Sequence, residues 1–219
     1  MESITKRIEK ISSNLPESVR LIAVSKQVSA DAIRVAYVAG IRDFGENRVQ
    51  EAIAKQEQLQ DLTDITWHLI GHLQSNKAAK SLEKFQWIHS VDSLKLAQRL
   101  DRLAEEFSCS PFICLQIKIL PDPDKFGWNV PELMADLAEL NKCQHLKIRG
   151  LMTILPLGLD DSQSLEGFNG LRELSEQINR QNLSNIKIEQ LSMGMSQDYH
   201  LAIQAGATMI RLGRILFNC

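Results

Sequence analysis

Apolar and polar positions alternate along this chain in two registers. Leu21–Val24 is a four-residue apolar run, too short for a helix and suited to a buried strand. A helical stretch follows. Ser29 and Asp31 supply a cap and a first-turn acid, Ile33, Val35 and Val38 an apolar face, and Gly40 a stop. The pair then repeats. The pattern predicts strands at Ile41–Phe44, Ile65–Ile70, Trp87–Ser90, Pro111–Leu120, Lys147–Leu155, Ile186–Leu191 and Thr208–Leu212. Between them it predicts helices over Glu46–Leu59, Ser75–Phe85 and Ser93–Phe107, one opened by Asn129 and Pro131, one over Leu165–Asn182, and one around Asp198–Gln204. The patch Gly158–Ser164 reads as a loop within the domain. With a leading amphipathic helix in Met1–Asn14, the count is eight strands separated by seven helices.

Such alternation requires parallel strands joined by right-handed crossovers. Eight units in 219 residues match the lower end of the size range of a (β/α)8 TIM barrel. An open doubly wound sheet would carry a glycine-rich loop after its first strand, where this chain has Val24-Ser25-Lys26-Gln27. The expectation is an α/β fold with one barrel domain over residues 1–219 and an extra N-terminal helix.

Composition narrows the function. Lys+Arg 25 against Asp+Glu 27 leaves a net charge of −2, which argues against a protein that works by gripping nucleic-acid backbone. Neither a signal-peptide core nor an 18-residue apolar run is present, so a cytoplasmic protein without a membrane partner is expected. Cys109, Cys114, Cys143 and Cys219 form no C-x-x-C pair and read as reduced thiols.

Barrel chemistry sits at the carboxyl ends of strands. Lys26 stands directly after the first strand, where a partly desolvated amine could form a Schiff base with an aldehyde. Ser192-Met193-Gly194-Met195-Ser196 passes from a strand into a helix, and its small residues let backbone N–H groups approach an anion. Arg211 and Gly213 offer a second cradle and a fixed cation after the last strand. A Schiff-base lysine facing a phosphate cup suggests pyridoxal 5'-phosphate (PLP). His68 and His72 stand four apart, but Ile70-Gly71 breaks the helix that a metal pair would need. They read as hydrogen-bonding histidines at a strand end.

These segments, with Phe44–Glu51, Trp67–Lys77, Lys125-Phe126-Gly127, Gly150-Leu151-Met152 and Arg211-Leu212-Gly213, resemble the single-domain pyridoxal-phosphate homeostasis proteins over essentially the whole chain. The resemblance implies a fold-type III barrel like the amino-terminal domains of alanine racemases and ornithine decarboxylases. It implies PLP held as a covalent imine on Lys26, with phosphate contacts from Ser192, Gly194, Met195, Ser196, Gly213 and Arg214. Arg211 would lie against the cofactor, Asn47 beside its ring, and Met152 in the pocket lining. The resemblance also implies a role in vitamin B6 homeostasis and in amino-acid and keto-acid balance, with apo-enzymes as recipients of PLP. Two positions depart from the family: Arg214 where Ser or Thr is usual, and Asn218 where Gly is usual.

The alternative is a small PLP-dependent amino-acid racemase. Racemases use a tyrosine from a second domain of a partner subunit as the base opposite the lysine. Neither Tyr37, expected on the barrel's outside, nor Tyr199, just past the phosphate motif, suits that role. Without that second domain a monomer is expected, and a carrier is favoured over a catalyst.

Overall fold

The computed structural model describes residues 2–218, so Met1 and Cys219 lie outside the described residues. Eight parallel strands close on themselves in chain order: β1 (Arg20–Val24), β2 (Asp43–Glu46), β3 (Thr66–Leu69), β4 (Trp87–Val91), β5 (Phe112–Gln116), β6 (Lys147–Met152), β7 (Ile186–Ser192) and β8 (Met209–Leu212). Closure is made where β1 pairs with β8, Ala23 opposite Leu212. The crossover helices are α2 (Ala30–Val38), α3 (Val49–Gln56), α4 (Ala78–Lys84), α5 (Leu94–Glu106), α6 (Val130–Leu140), α7 (Asp161–Asn179) and α8 (Tyr199–Gln204). The leading helix α1 (Ile4–Ser12) packs against α2 and a last short helix, α9 (Arg214–Phe217). Its Ile8 and Ile11 are buried there, each stabilising by about 1.5–3 kcal/mol relative to exposure. The Arg7 Nε donates to the Leu216 carbonyl at 2.7 Å.

The expected TIM barrel is present, and the differences lie at element edges. In α2, Ser29 caps and Gly40 takes a left-handed φ of +101°, as expected. The buried face, however, is Ile33 with Ala36, while Val35 and Val38 are 42% and 85% exposed. A small alanine satisfies the i, i+3 stripe that the sequence reading gave to bulkier valines. The segment Glu46–Leu59 is not all helix. Glu46 ends β2 and is fully buried, and the helix starts only at Val49.

Ser75–Phe85 opens with a 3-10 turn at Ser75–Lys77. The apolar run after Pro111 keeps its ladder only to Gln116. Ile119 and Leu120 leave the sheet and pack against α7 where Gly170 and Gly167 make room. Within the supposed loop Gly158–Ser164, α7 already begins at Asp161. Asp160 and Gln163 form a reciprocal capping box that the sequence reading missed. Asn218 caps α9 at φ +60°, which explains how Asn stands where the family has Gly: Asn tolerates the left-handed region.

Candidate functional site

Closure sets the neighbours of Lys26. Val24 pairs with Gly45 of β2 while Ala23 pairs with Leu212 of β8, so the β1–α2 loop lies between Glu46-Asn47 and Gly213-Arg214. Lys26 stands exposed at this mouth rather than partly desolvated. The residues on either side of it are held from beneath. The Ser25 hydroxyl donates to Glu46 Oε1 at 2.6 Å, and the Lys55 ammonium donates to the Ser25 carbonyl at 2.6 Å and to Glu46 Oε1 at 2.7 Å. The Gln27 N–H donates to Glu51 Oε1 at 2.7 Å, which secures a non-glycine residue at φ +59°. Burial raises the Glu46 carboxyl above its ordinary value, against the opposing pull of Lys55 and Ser25. Sequence reading missed Glu46, Glu51 and Lys55 as site residues. The available signal was a glutamate at the end of a strand, misread as a helix start.

On the other side, Arg211 N–H donates to the Gly194 carbonyl at 3.0 Å and ties the two predicted anion segments together. The Met195 N–H is taken by Asp198 Oδ1 at 2.6 Å. Among the described residues, the N–H groups of Gly194, Ser196, Gly213 and Arg214 have no internal acceptor. Gly194 has φ +90°, and a Cβ there would stand 2.6 Å from that of Ala202, so glycine lets α8 close onto the turn. Unpartnered amides grouped after two neighbouring strands suit a phosphate, so this donor set fits the phosphate end of PLP. The Arg214 side chain is exposed, and its backbone is the first residue of α9.

Two expected residues are placed differently from a simple pocket wall. Met152 is fully buried in the barrel interior with Ile22, Trp87, Cys114 and Met209. Ser192 is also fully buried. Its Oγ meets Arg211 Nη1 at 2.7 Å and His89 Nδ1 at 2.8 Å, so its side chain is engaged inside the barrel. The remaining chain runs from His89 Nε2 to His68 Nδ1 at 2.9 Å and from His68 Nε2 to Asp43 Oδ1 at 2.8 Å. His89 belonged to no expected motif. Arg211 Nη2 donates to the Thr153 carbonyl at 2.8 Å, and burial brings its guanidinium down to about 10, still a cation at neutral pH.

His72 lies apart from His68, half-exposed, paired with Asp92 at 3.0 Å and stacked on Phe126 with ring centroids 3.6 Å apart. No group of three or more metal-ligating side chains occurs among the described residues. Asn47 borders a cleft of about 380 Å³ with Arg48, Gly71, His72 and Lys77. Tyr37 is on the outside, donating to Asp64 at 2.5 Å beneath Arg42. Tyr199 lines a different cleft with Arg7, Ile11 and Ile203. Cys114 and Cys143 are free, and burial pushes their thiols up to about 12 and about 11. No described helix is long and apolar enough to cross a membrane.

Burial holds both internal histidines below their ordinary range, His89 further than His68. For His89 the charges of His68, Arg211 and Arg20 add to the effect; for His68 the Asp43 carboxylate opposes it. A lowered folded-state value means the unfolded chain binds protons first. The associated stability is therefore full above about pH 6.5 and is lost as pH falls below it. Unfolding free energies from urea titrations between pH 7.5 and 5.0 are expected to fall more steeply for the wild type than for His89→Gln, by up to about 1.4 kcal/mol per pH unit. Equal slopes in the two proteins would remove His89 from the acid response.

Residues 1–219 match the family model described as the alanine racemase N-terminal domain. A pyridoxal phosphate homeostasis protein of Synechocystis sp. PCC 6803 is 54% identical over 209 residues, covering 95% of each chain. One from Escherichia coli K12 is 37% identical over 205 residues, covering 93% of this chain and 86% of its own. PipY of Synechococcus elongatus PCC7942, solved with PLP bound, superposes with a TM-score of 0.94 at 53% identity, covering 98% of this chain and 100% of its own. An alanine racemase of Clostridium difficile 630 shares the fold alone, with a TM-score of 0.76 at 20% identity over 98% of this chain and 56% of that one.

Proposed function

Because this chain belongs to the alanine racemase N-terminal domain family, with the pyridoxal phosphate homeostasis proteins among its relatives, we propose that it binds PLP and serves in intracellular vitamin B6 homeostasis. The observation that carries the reading is the convergence at one mouth of Lys26 from β1, the free amides after β7 and β8, and buried Arg211. When bound, PLP supplies an electrophilic aldehyde. Lys26 would hold it covalently through its side-chain amine, which the exposed position leaves free to meet that aldehyde. The amides of Gly194, Ser196, Gly213 and Arg214 receive the phosphate, Arg211 meets the cofactor at its phosphate or its pyridine nitrogen, and Asn47 flanks the ring.

An exposed Lys26 suits release, because free amines can reach the linkage and exchange with it. The remaining parts of the reading are one PLP-binding domain over 1–219, a cytoplasmic monomer, and apo-enzymes as recipients. Buried protonated thiols agree with a reducing compartment. A carrier rather than a racemase is favoured by the placement of both tyrosines. One is fixed to Asp64 on the outer surface and the other lies along the cleft beside α1.

After reconstitution with PLP and desalting, the protein is expected to be yellow. Borohydride reduction should place the pyridoxyl mass on the Lys26 peptide, and Lys26→Ala should be colourless. A colourless wild type, or a label on another lysine, would overturn the assignment. Cα deuterium exchange of L-alanine in D2O at enzyme-like rates, abolished by Lys26→Ala, would instead favour the racemase.

A further inference from the structure

The hydrogen bonds through the barrel interior form a single file from one end of the sheet to the other. Asp43 is the first residue of β2, at the amino-terminal face, and Ser192 is the last of β7, at the carboxyl-terminal face. His68 of β3 and His89 of β4 stand between them, both fully buried. The step from His89 to Ser192 crosses the lumen from β4 to β7.

Each link has one consistent donor. The Asp43 carboxylate can only accept, so the His68 Nε2–H donates to it. Arg211 can only donate, so Ser192 Oγ accepts from Nη1, and the Ser192 hydrogen goes to His89 Nδ1. His89 Nδ1 is therefore bare, its Nε2 carries the hydrogen, and that hydrogen is donated to the bare Nδ1 of His68. The Asp43 end imposes the direction Arg211 to Ser192 to His89 to His68 to Asp43, and the Arg211 end agrees with it, since Ser192 Oγ accepts from Nη1 and keeps its hydrogen for His89. Reversal would set the Ser192 hydrogen free and leave His68 Nε2 bare against the Asp43 carboxylate. An imidazolium at either ring would likewise turn an N–H toward Ser192 Oγ and set the Ser192 hydrogen free in the barrel interior.

We propose that Asp43, His68, His89 and Ser192 form a one-way hydrogen-bond relay that positions Arg211 for the cofactor. They are positioning residues, anchored from the barrel face opposite the Lys26 mouth. Arg211 is then held by two acceptors at fixed angles, Ser192 Oγ and the Thr153 carbonyl. The Ser192 hydroxyl spends its hydrogen on the relay and has none to donate to a phosphate. The second half of the proposal, a cofactor meeting Arg211, rests on the PLP reading above, whereas the direction of the relay does not.

Two measurements test it. In the cofactor-free wild type at pH 7.5, histidine ring 15N–1H correlation spectra should show His68 and His89 both neutral, with hydrogen on Nε2 and none on Nδ1. An Nδ1–H tautomer or an imidazolium at either ring would overturn the relay, whether or not PLP binds. Titration with PLP then compares His89→Leu with His89→Gln, whose amide can accept from Ser192 and donate to His68. His89→Leu is expected to weaken binding about tenfold and His89→Gln less than about threefold, the scale of one net hydrogen bond. Equal losses in two folded variants would show that His89 only fills space. Should His89→Leu fail to fold, the wild-type spectra still decide the relay.

Discussion

Lys55→Met is expected to destabilise the protein by about 3–5 kcal/mol, the range for removing one partner of a buried ion pair. The Lys55 side chain is 9% exposed and its ammonium donates to three oxygens: the Ser25 carbonyl, Glu46 Oε1 and, at 3.1 Å, Glu51 Oε1. Methionine fills similar space but supplies no donor. Glu46 would then be a fully buried carboxylate with only the Ser25 hydroxyl, since its Oε2 already lacks a partner among the described residues. The penalty comes from stranding that charge rather than from losing attraction, so removing it as well should restore stability. The double variant Lys55→Met/Glu46→Leu is expected to recover most of the loss in urea unfolding. A double variant no better than the single one would show that Lys55 acts by packing alone. The same substitution reaches the site, because Ser25 and Gln27 bracket Lys26 and both are anchored in this cluster. Among folded molecules, PLP affinity should therefore fall together with stability.

This cluster also shows which parts of the protein were legible in the sequence. The barrel followed from hydrophobic periodicity, because each crossover needs a buried strand and a one-sided helix, and both leave a pattern within a few residues. The places of Lys26, the Ser192–Ser196 turn and Arg211 were legible because each lies at or within two residues of the carboxyl end of such a strand, or begins there. Glu46 was not. A charge on a strand is buried only when compensated, and its compensators, Lys55 and Ser25, are 9 and 21 residues away on other elements. His89 was hidden for the same reason: its partners lie on other strands, His68 on neighbouring β3 and Ser192 across the lumen on β7. Even Ser192, identified from sequence as part of the phosphate-binding turn, gave no local sign that its side chain meets His89 and Arg211 inside the barrel. Periodicity reports which face of an element is buried, whereas a polar network depends on which faces meet.

Gly71→Ala is the substitution at the rim expected to cost most. A Cβ at this position would stand 2.3 Å from the Asn47 carbonyl oxygen, 2.7 Å from its Cα and 2.9 Å from its carbonyl carbon. All three are backbone atoms, so no rotamer change relieves the overlap, and the loop after β2 or the loop after β3 must move. Overpacking of this kind costs about 1–3 kcal/mol, and the upper end is expected here because the backbone must yield. Asn47 directly follows the last residue of β2 and shares the cleft with Gly71, so the displacement falls on the cofactor rim. Gly40→Ala provides the control. Open space surrounds that Cβ, and only the left-handed φ of +101° opposes it, at a cost of about 1–2 kcal/mol. Gly40 is at the far end of α2, so PLP affinity should be unchanged in Gly40→Ala and reduced in Gly71→Ala. Urea midpoints and PLP titrations of both variants separate the two effects. A Gly71→Ala protein with wild-type midpoint and wild-type affinity would mean that the two loops part freely, and Asn47 would then lose its standing as a fixed wall of the site.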